Sequence, residues 1–145
     1  MISNYIDLAT QLQVNGFDLT IQSVAELTSM GSIGFDNKRL TDVSIFPELV
    51  ESGILRPGYY LITTNESFNL PKDIAAFPMN RTTLFRIGCF IAGGFFDRGY
   101  RGTAQIGLYV TQSTVFEKNA RFCQLAFMPV NNADDQGYNG SYQNK

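Results

Sequence analysis

Gly94-Phe95-Phe96-Asp97-Arg98-Gly99-Tyr100-Arg101-Gly102 places one carboxylate and one tyrosine among three glycines, with Gly93 a fourth just before it. Glycine lets a backbone come close to a ligand, so Asp97 is presented where a small molecule can approach, with Tyr100 one tight turn further on. By itself the stretch reads as either a ligand loop or a hairpin turn carrying a solvated acid. Residues 104–110 after it read as a strand. So do residues 121–130, where Gln124 is the only polar side chain within Phe122-Cys123-Gln124-Leu125-Ala126-Phe127. A polar group in an apolar strand needs partners.

Upstream, Pro78-Met79-Asn80-Arg81-Thr82-Thr83-Leu84-Phe85-Arg86-Ile87-Gly88 sets polar residues before an apolar-periodic run closed by glycine. That order predicts a short capped helix with Thr82 and Thr83 in its first turn. Free N–H groups there, two hydroxyls and the Arg81 guanidinium make either an anion cradle or simple capping beside a surface arginine. Residues 55–64 open on Pro57-Gly58 and continue Tyr59-Tyr60-Leu61-Ile62-Thr63-Thr64, a strand composition. Asn65-Glu66 and Leu70-Pro71-Lys72-Asp73 read as turn punctuation, with Glu66 a strand-end residue.

Residues 31–39, ending Asp36-Asn37-Lys38-Arg39, read as a turn or mobile loop. From Phe17 the chain alternates, with Phe17, Leu19 and Ile21 on one side and Asp18, Thr20 and Gln22 on the other. A half-buried strand follows, and Asp18 is expected to face away from the core. Residues 2–12 fit a short amphipathic helix, broken by Asn15-Gly16. Past Pro129 the sequence turns polar, and residues 137–145 are either frayed or ordered by something they cover.

The 145 residues are enough for one domain with a sizeable core, and 44% hydrophobic against 17% charged side chains is an ordinary globular balance. The formal charge of −2 leaves no broad basic surface, which disfavours a nucleic-acid polymer; phosphates would have to be bound locally by a few arginines. Histidine is absent, so any general base must be a carboxylate, and neither a Ser-His pair nor a histidine-ligated zinc exists. Cys89 and Cys123 sit in apolar runs and read as reduced core residues. No apolar run reaches membrane-spanning length and the N-terminus lacks a basic leader, so a soluble, unexported, cytoplasmic protein is expected, with no membrane partner. Many short strands with one or two short helices indicate a mostly-β barrel or sandwich.

Five segments in order resemble the motifs of the dUTPase and dCTP deaminase superfamily, most closely its archaeal-type dUTPase branch. They are Asn15-Gly16-Phe17-Asp18-Leu19-Thr20, Asn80-Arg81-Thr82-Thr83-Leu84, Phe96-Asp97-Arg98-Gly99-Tyr100-Arg101-Gly102, Ala120-Arg121-Phe122-Cys123-Gln124-Leu125 and Tyr138-Asn139-Gly140-Ser141-Tyr142-Gln143. The resemblance implies a β-clip or jelly-roll-like barrel spanning residues 1–145. It also implies a homotrimer with sites between subunits, Mg²⁺ bound with the triphosphate, and residues 131–145 as a tail covering the site. By the same resemblance Asp97 activates the water that attacks the α-phosphorus of dUTP. Tyr100 packs on the deoxyribose, and Asp18 holds the metal through water. Arg81, Thr82, Thr83, Arg86, Gly94, Phe96, Gln124, Tyr142 and Gln143 complete the substrate contacts. The carboxylate chemistry is sufficient for hydrolysis between the α and β phosphorus atoms.

Two departures stand out. The deaminase branch carries a proton-shuttling glutamate at the position aligned with Gly107, and Ser141 stands where a phosphate-binding lysine is common. Glycine can neither activate water at the base nor protonate leaving ammonia. The reading is therefore a dUTP diphosphatase, with a dCTP deaminase-like enzyme, a non-catalytic deoxynucleotide-binding trimer and a purely structural barrel as the rivals.

Overall fold

The computed structural model describes residues 1–46, 52–131 and 136–145. Its elements begin with β1 (Ile2–Ser3), α1 (Leu8–Gln11), β2 (Leu12–Gln13) and β3 (Gly16–Leu27), followed by β4 (Ser32–Ile33), β5 (Lys38–Arg39), β6 (Val43–Ile45) and β7 (Ser52–Leu55). Then come β8 (Gly58–Asn69), β9 (Ile74–Asn80), α2 (Thr82–Arg86), β10 (Cys89–Ala92), β11 (Arg101–Val110), β12 (Thr114–Glu117) and β13 (Arg121–Pro129).

The main sheet is antiparallel and runs β10-β11-β8-β3-β13-β9. Its ends approach each other: the Ile91 N–H donates to Asn80 Oδ1 at 2.8 Å, and Phe96 exchanges backbone bonds of 2.7 and 2.9 Å with Ala76 of β9. The mostly-β barrel expected from the sequence is thus the fold observed. Among the described residues no helix is long and apolar enough to cross a membrane.

β8 shows why the sheet closes around one core. Tyr60, Ile62, Thr64, Glu66 and Phe68 alternate inward along twelve residues, meeting Leu19, Ile106, Leu108, Phe122 and Leu125, all five of which are fully buried. Each such aliphatic or aromatic side chain contributes about 1.5–3 kcal/mol.

The structure corrects several expectations. Residues 2–12 are not one helix: β1 pairs with β8, and only Leu8–Gln11 is helical, capped by the Asp7 carboxylate accepting from the Ala9 N–H. Residues 31–39 form a hairpin of β4 and β5 about a turn at residues 34–37, the turn of the two readings and not the mobile loop. Residues 74–80, unread as a strand, are β9. Asn65-Glu66 is strand interior and not a turn. Its polar groups, which suggested punctuation, are satisfied by neighbours inside the fold.

Glu66 is fully buried and accepts from the Thr20 hydroxyl at 2.6 Å, the Thr20 N–H at 3.0 Å and Gln11 Nε2 at 2.7 Å. Asn65 Nδ2 donates to Thr20 Oγ1, the Ile21 carbonyl and Asn119 Oδ1. Gln11 in turn accepts from the Ile6 and Asp7 N–H groups through Oε1, so the network ties the N-terminal segment to β3 and β8.

Asp18 does not face solvent; it is 1% exposed. β3 is covered on both sides from Phe17 to Ile21, which alternation alone cannot reveal. Cys89 and Cys123 are free and buried, and burial pushes the Cys123 thiol up to about 12.

Glu66→Leu leaves three donors without their acceptor and should lower the unfolding free energy by roughly 2–4 kcal/mol in chemical denaturation. An unchanged midpoint would remove the network's structural role. Both thiols should resist a disulfide-exchange reagent at pH 8 in native protein and react once it is denatured.

Candidate functional site

The motif residues gather into two clusters. In the first, β3 and β13 pair so that Asp18 lies opposite Gln124. Arg81 stands at the N-cap of α2 with extended backbone (φ −71°, ψ 141°), directly after β9, which is β13's other neighbour. Three adjacent elements therefore deliver Asp18, Arg81 and Gln124 to one place.

Arg81 Nε meets Asp18 Oδ2 at 3.0 Å, and Arg121 Nη1 meets the same oxygen at 3.2 Å. Arg81 Nη1 also donates to the Arg121 carbonyl at 2.7 Å. Burial pushes the Asp18 carboxyl above its ordinary value, against the pull of the two guanidiniums. Its other oxygen, Oδ1, is buried and has no hydrogen-bond partner among the described residues.

Thr82 and Thr83 are exposed in the first turn of α2, as expected, and Arg86 is exposed in its last turn. A cleft of about 470 Å³ opens beside them, lined by Thr83, Lys118, Asn119 and Arg121 among others. Arg121 carried no role in the sequence reading. Its position three residues before Gln124 was the available signal; in the sheet it pairs with Thr20, two residues from Asp18.

The second cluster is the glycine loop. Asp97 is exposed, and the loop under it is fastened at both ends: Phe96 bridges to Ala76, and the Tyr100 N–H donates to the Asp97 carbonyl at 3.1 Å. Gly99 has φ +76°, where glycine is needed. At Gly94 a side chain would meet nothing within 4 Å, so that edge of the loop is open. Phe96 turns its ring inward onto Phe68, with centroids 5.6 Å apart. Tyr100 is 7% exposed in the single chain, packed between Phe96 and Tyr138, and donates its hydroxyl to the Thr103 carbonyl at 3.0 Å.

The tail lies on this loop. Gln143 Nε2 donates to the Gly99 and Tyr138 carbonyls at 3.0 and 3.1 Å, and the Arg101 N–H donates to Gln143 Oε1 at 2.9 Å. The Tyr138 N–H donates to the Arg98 carbonyl and the Asn144 N–H to the Arg101 carbonyl. Tyr142 is 39% exposed. Of the residues expected to form the tail, 132–135 lie outside the described residues.

The two clusters do not meet within one chain. Phe96 pairs near the start of β9 and Arg81 follows its far end, so five strand residues, about 16 Å, separate them. The pairing is antiparallel, and the loop runs on from Phe96 toward Pro71, whose carbonyl accepts from the Gly99 N–H, away from Arg81.

Gly107 sits on β11 opposite Ala92 of β10, the residue just before the glycine loop, and opposite Leu61 of β8. A Cβ there would lie 2.2 Å from the Tyr59 hydroxyl oxygen and 2.8 Å from its ring. The space of a side chain at 107 is filled by the Tyr59 phenol, held by an edge contact to Tyr109 with centroids 4.8 Å apart.

The model of the dCTP deaminase-like family matches residues 1–130. The chain belongs to that family. A "Probable deoxyuridine 5'-triphosphate nucleotidohydrolase" of Methanococcoides burtonii is 36% identical over 151 residues, covering 100% of this chain and 88% of that protein. A relative of the same name from Archaeoglobus fulgidus is 35% identical over 150 residues, covering 99% and 86%.

Among solved structures, the 2'-deoxycytidine 5'-triphosphate deaminase from Agrobacterium tumefaciens superposes with a TM-score of 0.70 at 19% identity, covering 87% of this chain and 41% of that one. EIAV dUTPase does so with 0.50 at 17%, covering 63% and 78%. These likenesses establish the shared fold.

Gly107→Glu should lower the melting temperature by roughly 4–10 °C through overpacking against Tyr59, and adding Tyr59→Ala should recover most of the loss. Equal loss in both backgrounds, read by calorimetry, would show that Tyr59 is not the obstacle.

Proposed function

We propose that this protein hydrolyses dUTP to dUMP and pyrophosphate, at sites that two copies of the chain complete. The family performs chemistry at either the base or the phosphate, and the observation that carries the choice is the Tyr59 phenol across Gly107. A carboxylate at that position would have to displace it. Asp97, in contrast, is exposed on a fastened loop. The full-length archaeal relatives bear the name of the same activity.

In this reading a water oxygen attacks the α-phosphorus while Asp97 accepts its proton. The bond from the α-phosphorus to the bridging oxygen breaks, and pyrophosphate leaves. Arg81, Thr82, Thr83 and Gln124 bind the phosphate chain, with Arg86 at the margin. Arg121 joins them, because it shares Asp18 with Arg81. Tyr100 is the wall beside the sugar, and the open edge at Gly94 and the Phe96 backbone border the pyrimidine. Tyr142 and Gln143 close the site with the tail.

Asp18 is the residue to hold Mg²⁺. Its Oδ1, buried and without a hydrogen-bond partner among the described residues, would hold the ion through water. A hard ion of this kind keeps waters and takes its other ligands from phosphates. When bound, the ion neutralises phosphate charge and polarises the α-phosphorus.

Sharing follows from the spacing of Asp97 and Arg81, and a homotrimer is the assembly this reading adopts. An apolar face supports it: Phe90, Tyr109, Leu27, Val43 and Ile45 are 41–59% exposed on β10, β11, β3 and β6, with β8 between β11 and β3.

Asp97→Asn should cut pyrophosphate release from dUTP by a factor of about 10² or more. Arg81→Ala should be similarly impaired. Mixing the two variants by co-refolding should restore about a quarter of the wild-type sites if each site draws on two chains. Wild-type turnover by Asp97→Asn would remove the assigned base, and no recovery in the mixture would remove the shared site.

A further inference from the structure

The hairpin of β4 and β5 has no part in the reaction described so far, yet it reaches the tail. Lys38 Nζ donates to Ser141 Oγ at 2.9 Å and lies 4.5 Å above the centre of the Tyr142 ring. Lys145 Nζ approaches the same ring at 5.6 Å. Two ammonium groups therefore bracket Tyr142, one from the hairpin and one from the last residue.

An ammonium group has three donors, and Ser141 accepts one of them. Among the described residues no carboxylate pairs with Lys38. Lys38 and Ser141 are both exposed, so the remaining donors face solvent. The neighbouring tail residue Gln143 is bonded to Gly99 and Arg101, two and four residues from Asp97. The charge thus stands on the tail segment that docks beside the Asp97 loop.

We propose that Lys38 is a phosphate-binding residue of this chain, delivering positive charge from the hairpin to the tail. The inference rests on the dUTP reading of the site. Hairpin and tail act as one clamp: Tyr142 stacks under the ammonium, Ser141 orients it, and its free donors take an oxygen of the β- or γ-phosphate of the nucleoside triphosphate. A lysine on either partner, position 38 or position 141, would place an ammonium at the same spot.

The test is calorimetric titration of the intact protein with dUMP and with α,β-imido-dUTP, with magnesium present. Lys38→Ala should weaken binding of the triphosphate analogue about tenfold while changing dUMP binding less than about twofold. Lys38→Ala combined with Ser141→Lys should return the analogue's affinity to within about threefold of wild type. Unchanged analogue binding in Lys38→Ala, equal losses for dUMP and the analogue, or no recovery in the double variant would each overturn the proposal. The equal-loss outcome would mark Lys38 as a tail anchor only. Failure of wild type to bind the analogue would remove the dUTP reading itself and the Lys38 role with it. Normal wild-type binding with an unaffected Lys38→Ala removes the Lys38 role alone.

Discussion

A single buried carboxylate oxygen, Asp18 Oδ2, holds two guanidinium groups, and much of the site's order depends on that arrangement. Taking a carboxylate out of water is costly unless opposite charge and hydrogen bonds replace the hydration. Arg81 and Arg121 supply both, and each is fixed further by backbone: Arg81 by the Arg121 carbonyl, Arg121 by the Thr10 carbonyl at 2.8 Å. The ion triad joins β3, β13, the start of α2 and the N-terminal segment. Arginines held this way keep their orientation before any anion arrives, which reduces the ordering cost of binding one.

The Glu66 network does for strand placement what the triad does for charge. It lies one side chain away, since Gln11 Nε2 donates both to Glu66 and to the Asp18 carbonyl at 2.8 Å. One amide thus joins the Glu66 carboxylate to the backbone of Asp18. Glu66 is saturated by donors, and Asp18 keeps an oxygen unpartnered. That difference matches the two roles given to them: the saturated Glu66 carboxylate is structural, and Asp18 is the acid to which the proposed reaction assigns the metal.

β9 sets the second constraint. Because it carries Ala76 near one end and leads into Arg81 at the other, the acid loop and the arginine cluster are held apart by a rigid strand. The tail adds to the acid end only, docking on residues 98–103 through backbone bonds and the Gln143 amide. The hairpin of β4 and β5 reaches that end too, through Lys38. In the proposed reaction each chain would present one half-site with Asp97 and one with the arginines, at opposite ends of β9.

The barrel class, α2, the strands around residues 17, 60, 106 and 124, the reduced cysteines and the order of motifs were all legible in the sequence, because side-chain period, turn residues and local spacing encode them. The pairing of Asp18 with Arg121, the burial of Glu66, the Tyr59 phenol over Gly107 and the contact of Lys38 with Ser141 were not. Each joins residues 46 or more positions apart, or places a polar side chain on a face that only a third element covers. Local sequence determines which way a strand alternates; how many neighbours cover it, and what fills the space beside a glycine, is decided only when the sheet closes.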